Sequence, residues 1–232
     1  MSHAAIRRRL NAAASPARAS VSASFFKTGP GEYGEGDRFL GVNVPTLRKL
    51  SSEFGQLSLR TLATLLSSRW HEERLLSLLI LVRQYQRGEE AHRDVIHRFY
   101  LRNTRFINSW DLVDSSAEHI VGPHLRPAQR VLLVRLATST DLWERRIAML
   151  ATFHYIKAGE YKDALRIASI LLDDPHDLIH KAVGWMLREI GNRDRRVEEA
   201  FLRKHAARMP RTMLRYAVER FPESLRRRYL DA

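Results

Sequence analysis

From Asn43 to the C-terminus the apolar residues of this chain recur with a helical period, and strand-like alternation is absent. The breaks are short: Arg87-Gly88, Ala158-Gly159, Asp174-Pro175 and Met209-Pro210. This pattern predicts an all-α protein. A slower rhythm lies on top of it. Segments beginning near Glu73, Ser109, Arg145 and His180 follow one another at about 36 residues, within the range of helical-hairpin repeats. HEERLLSLLILVRQYQRG and LWERRIAMLATFHYIKAG share a charged start, an apolar body and a glycine-terminated end, and DLIHKAVGWMLREIG is a third variation. The expected fold is a right-handed superhelical stack of antiparallel helix pairs, one domain over 1–232, curved so that one face is concave. Concave faces of this kind bind extended ligands.

Charge narrows the ligand. Lys and Arg number 39 against 26 Asp and Glu, a formal net charge of +13. Most of these cations are arginine, the better bidentate partner of phosphate. No run approaches the roughly 18 apolar residues of a membrane-spanning helix, so nucleic acid is preferred over a lipid surface. The chain has no cysteine, which excludes disulfides, thiolate nucleophiles, Cys-ligated zinc and iron–sulfur clusters.

The first 26 residues are rich in Arg, Ala and Ser and contain no acid, a composition shared by organellar transit peptides and basic first helices. Ile6, Leu10 and Ala13 recur at helical spacing, which favours the helix. No apolar segment follows the arginine cluster, so no secretory signal is expected; the location expected is cytoplasmic and nucleoid-associated. The stretch Gly29–Val42 satisfies G-x-G-x-x-G at Gly29, Gly31 and Gly34. It lacks a preceding strand and is acidic at Glu32, Glu35 and Asp37, so the match to a dinucleotide loop is accidental. It is expected to be a structured loop leading to a helix capped by Asn43, with Pro45 in the first turn.

Asn108–Asp114, NSWDLVD, places a tryptophan and a carboxylate together in a basic protein. In a helix Trp110 and Asp114 share a face, while Asp111 points elsewhere. A carboxylate on a surface that binds phosphate needs a function that arginine cannot supply; the competing expectation is a half-buried Trp beside two solvated aspartates near a helix N-terminus. Along the slower rhythm, Trp110, Arg146 and Trp185 fall at similar places in successive repeats. Guanidinium takes phosphate, and indole takes sugar or a cationic base. Trp143 competes from the helix of Arg146, and core packing is the commoner fate of any tryptophan.

Other chemistry is weaker. His176 and His180 share a helix face, but no third metal ligand accompanies them. His119 and His124 are weaker still. Ser115 and Ser116 lack the glycine elbow and oriented histidine of a nucleophile. Near the C-terminus, Arg211, Arg215, Arg226, Arg227 and Arg228 surround short helices broken at Pro222, with Met213, Leu214, Ala217, Val218 and Phe221 as the buried stripe of a capping helix.

YGEGDRFLGVNVPTLRKL, NSWDLVD, LWERRIAML, DLIHKAVGWMLREIG and MPRTMLRYAVERF together resemble the HEAT-like-repeat DNA alkylation repair proteins, the AlkD-type DNA glycosylases. The likeness spans nearly the whole chain. It implies excision of cationic N3- and N7-alkylated purines from double-stranded DNA by hydrolysis of the N-glycosidic bond, without metal or cofactor; no feature of the sequence requires more than a monomer. By the same resemblance Asp114 is the catalytic aspartate, Trp110 and Trp185 face the substrate, and Arg146 binds phosphate. Arg145, Lys181 and Arg188 are expected to add DNA contacts. The acidic glycine-rich loop before Phe39 departs from the pattern by its length, which leaves Tyr33 and Glu35 without an assigned role. The alternatives are a silent helical-repeat module that binds DNA or structured RNA by charge alone, and a protein-interaction scaffold.

Overall fold

The computed structural model describes residues 3–231. Among them are sixteen α-helices, four short 3-10 helices and no strands; a single bridge joins Arg38 to Trp70. The chain divides into two compact units, 1–116 and 117–232.

In the first unit, α1 (His3–Ala13), α2 (Pro16–Phe25), α3 (Val44–Glu53), α4 (Leu59–Leu66), α5 (His71–Arg87), α6 (Glu90–Arg102) and α7 (Trp110–Asp114) follow in order. The N-terminal segment is helical as its spacing predicts, with Ile6 and Leu10 fully buried and Ala13 half-buried. Helix starts obey local chemistry. Ser15, Asn43 and Ser58 accept from the backbone N–H three residues on, and prolines occupy the first turns of α2 and α3. The hub is α5. Leu75, Leu76, Leu78, Ile80 and Leu81 are buried around it, and α3, α4, α6 and α7 all pack on it.

The second unit holds α8 (Ala117–His124), α9 (Val131–Ala137), α10 (Leu142–Ala151), α11 (Phe153–Lys157), α12 (Lys162–Ile170), α13 (Asp177–Gly191), α14 (Arg195–His205), α15 (Arg211–Ala217) and α16 (Glu223–Leu230). Its hub is α13, against which α10, α11, α12, α14 and α15 pack. Gly184 explains the closest approach: a Cβ there would lie 2.4 Å from the Met213 carbonyl oxygen and 2.5 Å from the Tyr216 Cβ. Met213, Leu214, Ala217, Val218 and Phe221 are all buried, as their stripe predicts. The slower rhythm is also present, since α5, α7, α10 and α13 begin at His71, Trp110, Leu142 and Asp177.

Candidate functional site

The site builds from α7, a helix of only five residues. So short a helix has little stability of its own, and its contacts must fix it. Leu112 and Val113 are fully buried, which leaves Trp110 and Asp114 half-buried at its two ends. Ser116 Oγ, one turn on, donates to the Leu112 carbonyl at 2.6 Å and meets the hydroxyl of fully buried Tyr100 at 2.9 Å. Ser116 is therefore structural, in line with dismissing it as a nucleophile. Burial first, and then the nearby charge of Asp114, pushes the Tyr100 hydroxyl well above its ordinary pKa, against the Ser116 hydrogen bond.

Trp110 is the outer ring of an aromatic stack. Its indole lies over Phe26 at 5.1 Å with an interplanar angle of 10°, and Phe25 meets it edge-on at 5.9 Å. Phe26 continues to Phe39 at 5.1 Å, and both phenyl rings flank the imidazole of His71, at 4.9 and 4.6 Å.

That imidazole is the centre of a buried ionic network. His71 Nδ1 donates to Asp37 Oδ2 at 2.8 Å, and Nε2 donates to Asp111 Oδ2 at 2.7 Å. Arg74 Nη2 reaches the same Asp37 oxygen at 2.7 Å. Burial works against a charged ring, but Asp111 and then Asp37 outweigh it, and the His71 pKa is pushed up to about 9. Asp37 is held below the usual carboxylate range by His71 and Arg74 in spite of its burial. Beside them Glu72 accepts from the backbone N–H groups of Leu40, Gly41 and Val42 at 2.9, 2.7 and 3.2 Å, and Glu73 accepts from Arg7 at 2.9 Å. The four residues His71 to Arg74 thus tie α1, the glycine-rich loop and α7 to the start of α5. Asp111 is not a solvated acid at a helix start; it is the link between α7 and this network. A mainly apolar pocket of about 520 Å³ opens alongside, with His71, Glu72 and Asp111 on its wall.

The three glycines of the G-x-G-x-x-G match have their backbone donors occupied, Gly34 by the Lys27 carbonyl at 3.1 Å. Gly29 N–H donates to Glu32 and Gly31 N–H to Glu35, both at 2.9 Å. Gly41 must be glycine twice over: its φ is +77°, and a Cβ would lie 2.2 Å from the Ser15 carbonyl oxygen.

In the second unit Arg146 is buried, 4 % exposed, and its Nη1 donates to the Leu178 carbonyl at 2.5 Å. Arg145 reaches Asp174 at 2.6 Å and the carbonyls of Ser139 and Thr140 at 3.1 and 3.0 Å. Trp185 is half-buried, meets Phe153 edge-on at 5.9 Å, and its Nε1 donates to Glu189 at 3.3 Å. Trp143, its sequence competitor, is 8 % exposed and belongs to the core. Lys181 pairs with Asp177 at 2.8 Å, and Arg188 pairs with Glu219. The two histidines have structural work: His176 Nδ1 accepts from Leu178 N–H at the start of α13, and His180 Nε2 donates to the Asp174 carbonyl at 2.5 Å. Among the described residues no group of three or more His, Cys, Asp or Glu is arranged to hold a metal ion.

Sequence reasoning missed His71, Asp37 and Arg74. HEER read only as the charged start of an amphipathic helix, yet all four residues are at most 5 % exposed. The available signal was Asp37 and Asp111: acids in segments flanked by aromatic residues imply buried cations to receive them.

The sequence profile described as "DNA alkylation repair enzyme" matches residues 6–221. The chain belongs to this family. A solved structure described as "Predicted DNA alkylation repair enzyme from Enterococcus faecalis" superposes with a TM-score of 0.68 at 14 % identity, covering 90 % of this chain and 97 % of that one. At that identity the likeness is one of fold. No curated protein matches. Among the described residues of this member of the DNA alkylation repair family, no helix is long and apolar enough to cross a membrane.

Proposed function

We propose that this member of the DNA alkylation repair family is a monofunctional glycosylase that releases N3- and N7-alkylated purines, such as 3-methyladenine and 7-methylguanine, from double-stranded DNA. The observation that carries this proposal is Asp114: a half-buried carboxylate one helical turn from a stacked tryptophan, in a protein of net charge +13.

The chemistry follows from the leaving group. Alkylation at N3 or N7 makes the purine cationic, so cleavage of the bond to C1′ releases a neutral base, and the base needs little acid assistance. Positive charge grows instead on the deoxyribose. The Asp114 carboxylate stabilises that oxocarbenium-like charge and orients the attacking water; the water oxygen bonds to C1′ and its proton passes to the carboxylate or to solvent. Trp110 offers an indole face to the sugar or the cationic base; the same role for Trp185 rests on the family resemblance. The family resemblance assigns phosphate to Arg146, whose guanidinium is buried and donates to the Leu178 carbonyl, and the less buried Arg145, Lys181 and Arg188 are expected to add contacts. No step requires a metal or a cofactor.

Incubating the full-length protein with duplex DNA that carries 7-methylguanine and 3-methyladenine, and scoring free base, tests the proposal. Release of both bases supports it. DNA binding with no base released would favour instead a silent module that holds DNA or structured RNA by charge.

A further inference from the structure

The far end of α5 carries a second polar feature, roughly 18 Å along the helix axis from His71 at 1.5 Å per residue. It is a pocket of about 340 Å³ between the turn at 55–59, the last turn of α5 and the first turn of α6. Arg83, Arg87 and His92 line it, and no lining residue is acidic.

Arg83 and Arg87 stand one turn apart on α5, where like charges repel. Three other arginines of this unit meet acids, Arg7 with Glu73, Arg9 with Glu53 and Arg74 with Asp37. Among the described residues Arg83 Nε is buried without a hydrogen-bond acceptor. Buried Nε groups without an acceptor occur also at Arg74, Arg130 and Arg226, which pair with acids through their other nitrogens; here the pocket wall offers the guanidinium groups no acid at all, and an anion from outside would relieve their repulsion. The walls are fixed rather than fortuitous. The Gln84 side-chain amide donates to the carbonyls of Gly55 and Leu57 at 2.9 and 2.8 Å, and Ser58 caps α4 at the pocket edge.

We propose that this pocket binds a phosphoryl group. A phosphate oxyanion accepts from several donors at once and donates little, which matches two guanidinium forks, an imidazole and no acid. Its source is either the DNA backbone, which would make the pocket a second anchor distant from α7, or free inorganic phosphate.

Calorimetric titration of the full-length protein with inorganic phosphate, against chloride at equal ionic strength, tests this. The wild type is expected to bind, and Arg83→Gln and Arg87→Gln are each expected to bind at least about tenfold more weakly. No binding by the wild type, or equal affinity in all three proteins, would overturn the proposal. If Arg83→Gln does not fold, the exposed Arg87 carries the test alone. The source is read from DNA affinity as salt is varied. A slope of log K on log salt that is shallower by about one unit in Arg87→Gln assigns a backbone phosphate; an unchanged slope with weakened phosphate binding assigns the free ion.

Discussion

The imidazole of His71 donates through Nε2 to the carboxylate of Asp111 at 2.7 Å, and so joins the first turn of α5 to the five-residue helix that presents Trp110 and Asp114. The same ring is flanked by Phe26 and Phe39, and Phe26 is the ring on which Trp110 lies. One buried cation therefore fixes the short helix through both its acid and its tryptophan.

This arrangement sets a pH dependence of stability. The His71 pKa rises from 6.5 to about 9 on folding, so the folded state holds the proton more tightly. Its stabilisation is complete below about pH 6.5 and is lost as pH climbs through about 9, with a span of about 3 kcal/mol. Chemical denaturation across pH 6 to 10 should show this decline, and His71→Gln should flatten it while lowering stability at pH 6.

Glu198 contributes a separate slope. It is 1 % exposed, and burial, with Glu199 adding to it against Arg195 and Arg188, pushes its pKa up to about 8. The folded state therefore keeps a neutral carboxyl that the unfolded chain ionises near 4.5. Stability falls as pH rises from about 4.5 to 8 and levels off beyond that. Glu198→Gln removes this slope and raises Tm at pH 8, by about 2–4 °C for each kcal/mol relieved.

Two cations expected to meet DNA should separate on thermal unfolding. Arg145 neutralises Asp174, whose side chain is 4 % exposed, so Arg145→Ala strands a buried carboxylate and should cost about 3 kcal/mol or more. Lys181 pairs with Asp177 in an exposed i,i+4 arrangement, and Lys181→Ala should cost no more than about 0.5 kcal/mol. Equal Tm losses would contradict these assignments.

Gly184→Ala tests the packing of α13. With backbone and the Tyr216 Cβ within 2.5 Å of the added methyl, α15 must shift, and a loss of about 1–3 kcal/mol is expected despite alanine's better helix propensity. Unchanged Tm would mean that α15 yields freely.

What was legible in the sequence follows from what repeats. Helical period, the cap at Asn43 and the buried stripe of α15 depend on local spacing, so they could be read directly. The pairing of Trp110 with Asp114 could be read because one turn of helix relates them. The network of His71, Asp37, Arg74 and Asp111 could not, because its members are between 3 and 74 positions apart and meet only once the loop folds back on α5. The role of Glu32 and Glu35 in occupying the amides of Gly29 and Gly31 was likewise invisible, although their charge alone was enough to reject the dinucleotide loop.

The central claim is that the Asp114 carboxylate stabilises charge on the sugar, and base release by Asp114→Asn measures it most directly. Asparagine keeps the size and removes the charge. The account predicts that release of 7-methylguanine from duplex DNA falls by about 100-fold or more, while affinity for the same DNA is unchanged or higher because a negative charge has left the surface. Release at the wild-type rate would contradict it.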